Sequence, residues 1–195
     1  MRRKMVFFNP PVTAAAAPTP SAGGTINLSM NGKEWGADIP QEDGWQEYKE
    51  NDAAEPSGFL LYDDDTTSAY KIELVDGGTA RDGQQTGDDT GIVPDAALEQ
   101  SFAHQASNTY YSFKFTGMDS SMTYQLELIP SYQGTWNWIQ YYKIDGVEKN
   151  MVSDQNTSSS LTFTGVEPDA SDEILIEFKG INGWALVNAI ILTEE

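Results

Sequence analysis

Apolar and polar residues alternate most clearly between Tyr110 and Leu128. Tyr111, Phe113 and Phe115 occupy every second position, Thr116–Ser121 interrupts, and Tyr124, Leu126 and Leu128 resume the rhythm. A period of two puts one set of side chains on one face, so this stretch predicts two half-buried strands joined by a short connection. The same grammar predicts strands at 25–30, 70–75, 139–144, 148–152, 160–166, 173–179 and 184–192. Phe59–Tyr62 is a short apolar run, and Lys33–Gly58 reads as irregular. Asp76–Gly91, rich in Gly and Asp, reads as a loop. Ala96–Gln105 suits one or two helical turns with Asp95 as the cap. Eight to ten short strands with scarcely any helix indicate an all-β fold: a two-layer antiparallel jelly-roll β-sandwich over residues 25–195.

Residues 1–24 differ in kind. They hold four of the nine prolines among Ala, Thr, Ser and Gly, a composition that favours an extended course. Arg2, Arg3 and Lys4 precede Met5, Val6, Phe7 and Phe8, giving a basic, apolar tip on a stiff stalk. That apolar run has four residues before Asn9 and Pro10, against the roughly 7–15 of a secretory signal core. The expectation is therefore an extended anchoring arm that docks, through Arg2 to Phe8, into protein subunits of a larger assembly.

Charge narrows the partners. The net charge is −19, and no acid precedes Glu34, so a strongly acidic body follows the basic tip. Phosphate binding needs a basic footprint, which argues against nucleic acid. No run of about 18 apolar residues exists for a helix to insert in a membrane. Cysteine is absent, excluding disulfides and thiolate metal sites.

Three constellations carry candidate chemistry. Trp136, Trp138 and Tyr141 enter a strand after a Gly-containing loop. Aromatic rings at a sandwich rim can stack on the apolar C–H faces of sugars, whereas core packing is the competing role. Trp184, inside an apolar strand, is expected in the core. Asp63, Asp64, Asp65, Asp82, Asp88 and Asp89 supply oxygen ligands of the kind calcium requires, without EF-hand spacing. Asp63, Asp65, Asp88 and Asp89 are the candidate calcium ligands, against the alternative of a solvated acidic face. His104 is the single histidine, and no Gly-x-Ser-x-Gly elbow accompanies it, so a Ser-His-Asp relay is not expected. Asn156-Thr157-Ser158 fits the glycosylation pattern and also fits a turn that structures its own loop.

From about Gly44 the chain resembles the galactose-binding-like jelly-roll domains related to carbohydrate-binding modules of exported bacterial proteins. The resemblance is carried by Gly44-Trp45, Leu60–Asp63, Thr86-Gly87, Val93–Asp95, Phe115–Leu128, Tyr142–Gly146, Asn156–Ser158, Val166–Asp169 and Trp184–Leu192. It implies a non-catalytic module that often binds glycan, although a fold by itself transmits no ligand. Combined with the arm, the first expectation is a structural or decoration protein of a phage virion, displayed at the virion surface. The alternative is a secreted glycan-binding module at a cell surface or in a polysaccharide-degrading system.

Overall fold

A computed structural model describes residues 23–31, 43–49, 59–76, 78–105 and 108–195. The docking residues Arg2 to Phe8, and nearly all of the expected arm, lie outside the described residues, as does Trp35. The strands are β1 (Thr25–Asn31), β2 (Trp45–Lys49), β3 (Lys71–Leu74), β4 (Thr79–Asp82), β5 (Gln100–His104), β6 (Tyr111–Thr116), β7 (Tyr124–Ile129) and β8 (Ile139–Ile144). They continue as β9 (Val147–Val152), β10 (Leu161–Val166), β11 (Glu173–Ile181), β12 (Ala185–Val187) and β13 (Ala189–Glu194). One helical turn, α1 (Asp95–Leu98), precedes β5.

Two five-stranded sheets, β10-β7-β13-β1-β2 and β3-β6-β11-β8-β9, form the sandwich. Between β6 and β11 the chain passes repeatedly from one sheet to the other, with only the β8–β9 hairpin staying in one layer. Alternation sets the core. Phe113, Phe115, Ile174, Ile176 and Phe178 point inward from one sheet and meet Leu126, Leu128, Ile190 and Leu192 of the other. Burying each such side chain stabilises the fold by about 1.5–3 kcal/mol. On the outer face of the second sheet, Lys114 lies 2.7 Å from Glu173, and Lys143 lies 2.6 Å from Glu177. These pairs face solvent and contribute little.

The structure departs from the sequence expectations at four places. β2 is a strand inside the stretch expected to be irregular, and it runs parallel to β1, so the sandwich is not wholly antiparallel. Residues 100–104 form a strand rather than a continuation of the helix, because β4 and β12, distant in sequence, flank β5 and supply its backbone partners. β4 itself lies inside the stretch expected to be loop. The closing segment 184–192 is split at Asn188, which sends β12 into a small three-stranded sheet with β5 and β4 and returns β13 to the main layer. That small sheet bridges the layers, with β5 against β1 and β12 against β11 and β8.

Asn188 makes the split stable. Its backbone N–H donates to Ile129 O at 3.1 Å and its carbonyl accepts from Met30 at 2.7 Å. Its side-chain oxygen accepts from the Ser131 amide at 2.6 Å, and its NH₂ donates to Gln100 O at 2.9 Å. A fully buried amide with these partners fixes where β5, β7 and β13 meet.

Candidate functional site

The junction held by Asn188 opens into a cleft of about 480 Å³ lined by Arg81, Asp82, Tyr132, Gln133, Trp136, Trp138 and Trp184. Three separate segments build it: the end of β4, the connection from β7 to β8, and the turn before β12.

The β7–β8 connection is tied down along its length. Ser131 Oγ accepts from the Gln84 amide at 2.9 Å, and the Tyr132 amide donates to Ser153 O at 2.9 Å. Asn137 adopts a left-handed φ of 58°, and its amide donates to the Asp154 carboxylate at 2.5 Å. The Trp138 amide reaches the other oxygen of that carboxylate at 3.2 Å. The left-handed residue interrupts the strand alternation and swings Trp136 away from the core. Trp136 is 67% exposed, whereas Trp138 is 3% exposed.

The rings form a graded stack. Tyr132 and Trp138 lie face to face with centroids 4.0 Å apart, and Trp136 meets Trp138 edge-on at 5.5 Å. Behind Trp138, a Cβ added at Gly183 would sit 2.1 Å from the indole, so the turn after β11 can lie on that ring only as glycine. Trp138 is thus a backing wall whose indole N–H has no acceptor among the described residues. Trp136 is the accessible ring.

The polar side is small. Gln133 Nε2 donates to Asp82 Oδ2 at 3.0 Å. The Arg81 guanidinium lies 3.6 Å above the Trp184 ring. Trp184, expected in the core, is half-buried at the cleft instead. Its carbonyl accepts from Gln140 Nε2 at 3.0 Å, and Gln140 Oε1 accepts from the Leu186 amide at 2.9 Å. That buried glutamine holds the turn so that the indole faces β4.

Of the expected aromatic platform, Trp136 and Trp138 meet in the cleft and Tyr141 does not. Tyr141 sits on the outer face of β8, where the Lys179 ammonium lies 4.9 Å from its ring. The candidate calcium ligands are not brought together: no group of three or more acidic or histidine side chains that could hold a metal forms among the described residues. Asp63 and Asp65 lie in an exposed turn, where Asp65 has a φ of 64° and the neighbouring Asp64 carboxylate accepts from the Thr66 amide at 3.0 Å. Those Thr66 hydrogen bonds hold the Asp64 carboxyl below its ordinary value.

Asp88 and Asp89 belong to a second loop closed on Asp95. Asp88 Oδ1 accepts from Thr90 Oγ1 at 2.7 Å, and Asp89 Oδ1 accepts from the Asp95 amide at 2.8 Å. The Asp95 side chain does not cap α1. It accepts from the Thr86 amide at 2.7 Å, the Thr86 hydroxyl at 2.8 Å and the Gly87 amide at 2.6 Å. Burial pushes the Asp95 carboxyl up, and these hydrogen bonds outweigh it, so its pKa lies below the usual carboxylate range.

Asn156 structures its own turn, its NH₂ donating to Pro130 O and Ser159 O, both at 2.8 Å. His104 lies outside the cleft, stacked on Tyr111 at 3.7 Å.

Sequence reasoning missed Arg81, Tyr132, Gln133 and Trp184 as cleft residues. One signal was visible: beyond residue 4, Arg81 is the only arginine in the chain.

No family model matches the chain, and no curated protein matches it. Solved structures similar to it include Bacteroides uniformis β-glucuronidase, with 13% identity over 63% of this chain and a TM-score of 0.43. A calcium-binding mutant of Bacteroides uniformis β-glucuronidase 2 shows 15% identity over 76% of this chain and a TM-score of 0.48. The chain spans 14% and 20% of those two chains. TmCBM61 in complex with β-1,4-galactotriose shows 10% identity, covering 66% of this chain and 90% of that one, with a TM-score of 0.33. The likeness is one of general fold. It carries no argument about ligand or activity.

Proposed function

We propose that the chain is a non-catalytic β-sandwich module that binds carbohydrate in the cleft walled by Trp136, Trp138, Tyr132 and Trp184. One observation carries this reading: Trp136 is a large, exposed indole held by a loop with almost every tether satisfied. The ring does not stand alone but continues the Tyr132–Trp138 cluster into solvent, and a sugar's C–H face is a ligand of matching shape and polarity for such a surface. Asp82 and Gln133 at the rim offer acceptor and donor groups for hydroxyls, the usual division between apolar walls and a few polar groups in small-molecule sites. Among the described residues lining the cleft, Asp82 is the one carboxylate, whereas glycoside hydrolysis ordinarily uses two. The proposed work is therefore recognition, outside a cell or at a cell surface. The virion-decoration reading rests on residues 1–24 alone, and no geometry among the described residues favours it.

The test is a glycan array followed by calorimetry on the intact chain and on Trp136→Ala, with β-1,4-galactotriose among the probes. Binding that Trp136→Ala removes, with the melting temperature kept, supports the reading. No binding to any glycan, or binding indifferent to Trp136, overturns it.

A further inference from the structure

We infer that the cleft selects glycans bearing a carboxylate, with the Arg81 guanidinium, stacked on Trp184, reading that group. This rests on the carbohydrate reading above and names its ligand class.

Among the described residues Arg81 is a cation without a carboxylate partner, and it lines the cleft. The chain holds 30 acidic residues, yet none lies within ion-pair distance of Arg81 among the described residues. Lys114, Lys143 and Lys179 each have a carboxylate within 3.5 Å, whereas Lys71, over the Phe59 ring, and Lys149, bonded to Thr162 O, have none among the described residues; of these three unpaired cations Arg81 is the one that lines the cleft. The adjacent Asp82 forms no ion pair with it among the described residues, and its Oδ2 accepts from Gln133. The guanidinium is nevertheless well placed. Its plane is held by the indole 3.6 Å away, and its backbone is fixed by pairing with Ser101, whose hydroxyl donates to Arg81 O at 3.1 Å.

Stacking occupies one face of a guanidinium and leaves its in-plane N–H donors unused. A planar fork of donors matches a carboxylate bidentately, which a neutral hydroxyl cannot do. Here the side chain is half-buried, oriented and unpaired at the mouth of an aromatic cleft. The distant acids of the body do not forbid an anion there, since charges beyond about 8 Å are largely screened at physiological salt, and Asp82, the carboxylate that lines the cleft, is tied to the Gln133 amide. A sugar ring over Trp136 with its carboxylate on Arg81 uses both features at once. The ligand class is a uronic-acid-containing oligosaccharide.

The experiment titrates the intact protein with oligogalacturonate and oligoglucuronate, with their methyl esters, and with neutral β-1,4-galactotriose. Esterification keeps the ring and removes the charge. The free acid of at least one series is expected to bind about tenfold or more tightly than its ester. Arg81→Met brings acid and ester within about twofold of each other, and Arg81→Lys, which keeps charge without the fork, gives an intermediate ratio. Equal binding of acid and ester by the unaltered protein overturns the inference, as does selectivity that survives Arg81→Met or binding confined to neutral or sulfated glycans. In each of those cases loss of binding in Trp136→Ala leaves the carbohydrate reading standing. If no glycan of any kind binds, both fall.

Discussion

β7 and β13 lie side by side, and their two ends use aromatic residues in opposite ways. At one end Tyr124 faces Glu194, and at the other Ile129 faces Ala189, about 17 Å away. At the first end Glu194, only 4% exposed, accepts from the Tyr62 hydroxyl at 2.6 Å and the Tyr70 hydroxyl at 2.5 Å. Its second oxygen accepts from the Gly24 amide at 3.1 Å, and Tyr70 and Tyr124 share a contact at 3.2 Å. Burial, then the Glu194 carboxylate, holds the Tyr62 and Tyr70 hydroxyls well above the usual phenol range, so both remain donors. At the second end Trp136 and Arg81 have no such partners among the described residues. Aromatic rings with polar handles seal the sandwich where their hydrogen bonds close on one another. Where those bonds stay open, the same chemistry leaves rings and donors free for the proposed ligand.

The largest expected effect breaks the sealed end. Glu194→Ala removes the carboxylate acceptor of two buried hydroxyls and opens a cavity, which should destabilise the fold by about 4 kcal/mol. Glu194→Gln keeps an acceptor and should lose about half of that. Urea unfolding measures both, and glycan affinity of the folded fraction should stay within about twofold. If Glu194→Ala unfolded no more easily than the parent, the buried network would be packing without a structural role.

Asn188→Ala acts on the cleft end and on stability at once. Removing its amide strands the Ser131 N–H and the Gln100 carbonyl, an expected loss of about 3 kcal/mol. Unlike Glu194, it supports the loop that carries Tyr132 and Trp136, so affinity should fall together with stability. Affinity retained in Asn188→Ala would show that Gln84, Ser153 and Asp154 fix the loop without Asn188.

Trp136→Ala should do the reverse of Glu194→Ala. With two thirds of its surface in solvent, its loss should change stability by less than about 0.5 kcal/mol. Binding should weaken by about 2 kcal/mol, near thirtyfold. Trp138→Ala, a buried wall, should instead cost about 3 kcal/mol of stability. The paired variants separate the exposed ring from the one behind it.

Alternation made the layers legible, because β6, β7, β8 and β11 bury one face each and period two follows from that. It failed at β5, whose Ser101, Phe102 and Ala103 are all buried. A strand covered on both sides has no period, and its neighbours come from residues 79–82 and 185–187. The aromatic pair Trp136 and Trp138 was visible as a candidate, but which ring faced outward was not. That depends on the left-handed Asn137 and on Asp154, sixteen or more residues downstream of the rings it anchors. Asp95 shows the same limit from the other side: its position at a helix start was readable, whereas the carboxylate turns back to Thr86 and Gly87. The cleft joins three segments separated by about 50 residues each, and no local pattern records such a meeting.

The smallest expected effect lies where the cleft end meets the core. His104 pairs with Ala185, next to Trp184, and its ring is stacked on Tyr111 and edge-on to Phe102 at 5.6 Å. Its Nε2 is buried without a partner among the described residues. Burial lowers its pKa from the ordinary 6.5, against a smaller opposing pull from Asp76. The unfolded chain therefore takes up a proton first as pH falls, so stability should decline from about pH 6.5 until the folded histidine also protonates. The lowered carboxyls of Asp64, Asp95 and Asp119 act in a separate window, below their ordinary 3.8. Urea midpoints at successive pH values between about 7.5 and 5 should slope downward in the parent and flatten in His104→Phe, which keeps the stack without the titration. An equal slope in both proteins would assign the pH dependence to the acidic surface and leave His104 as an ordinary packed ring.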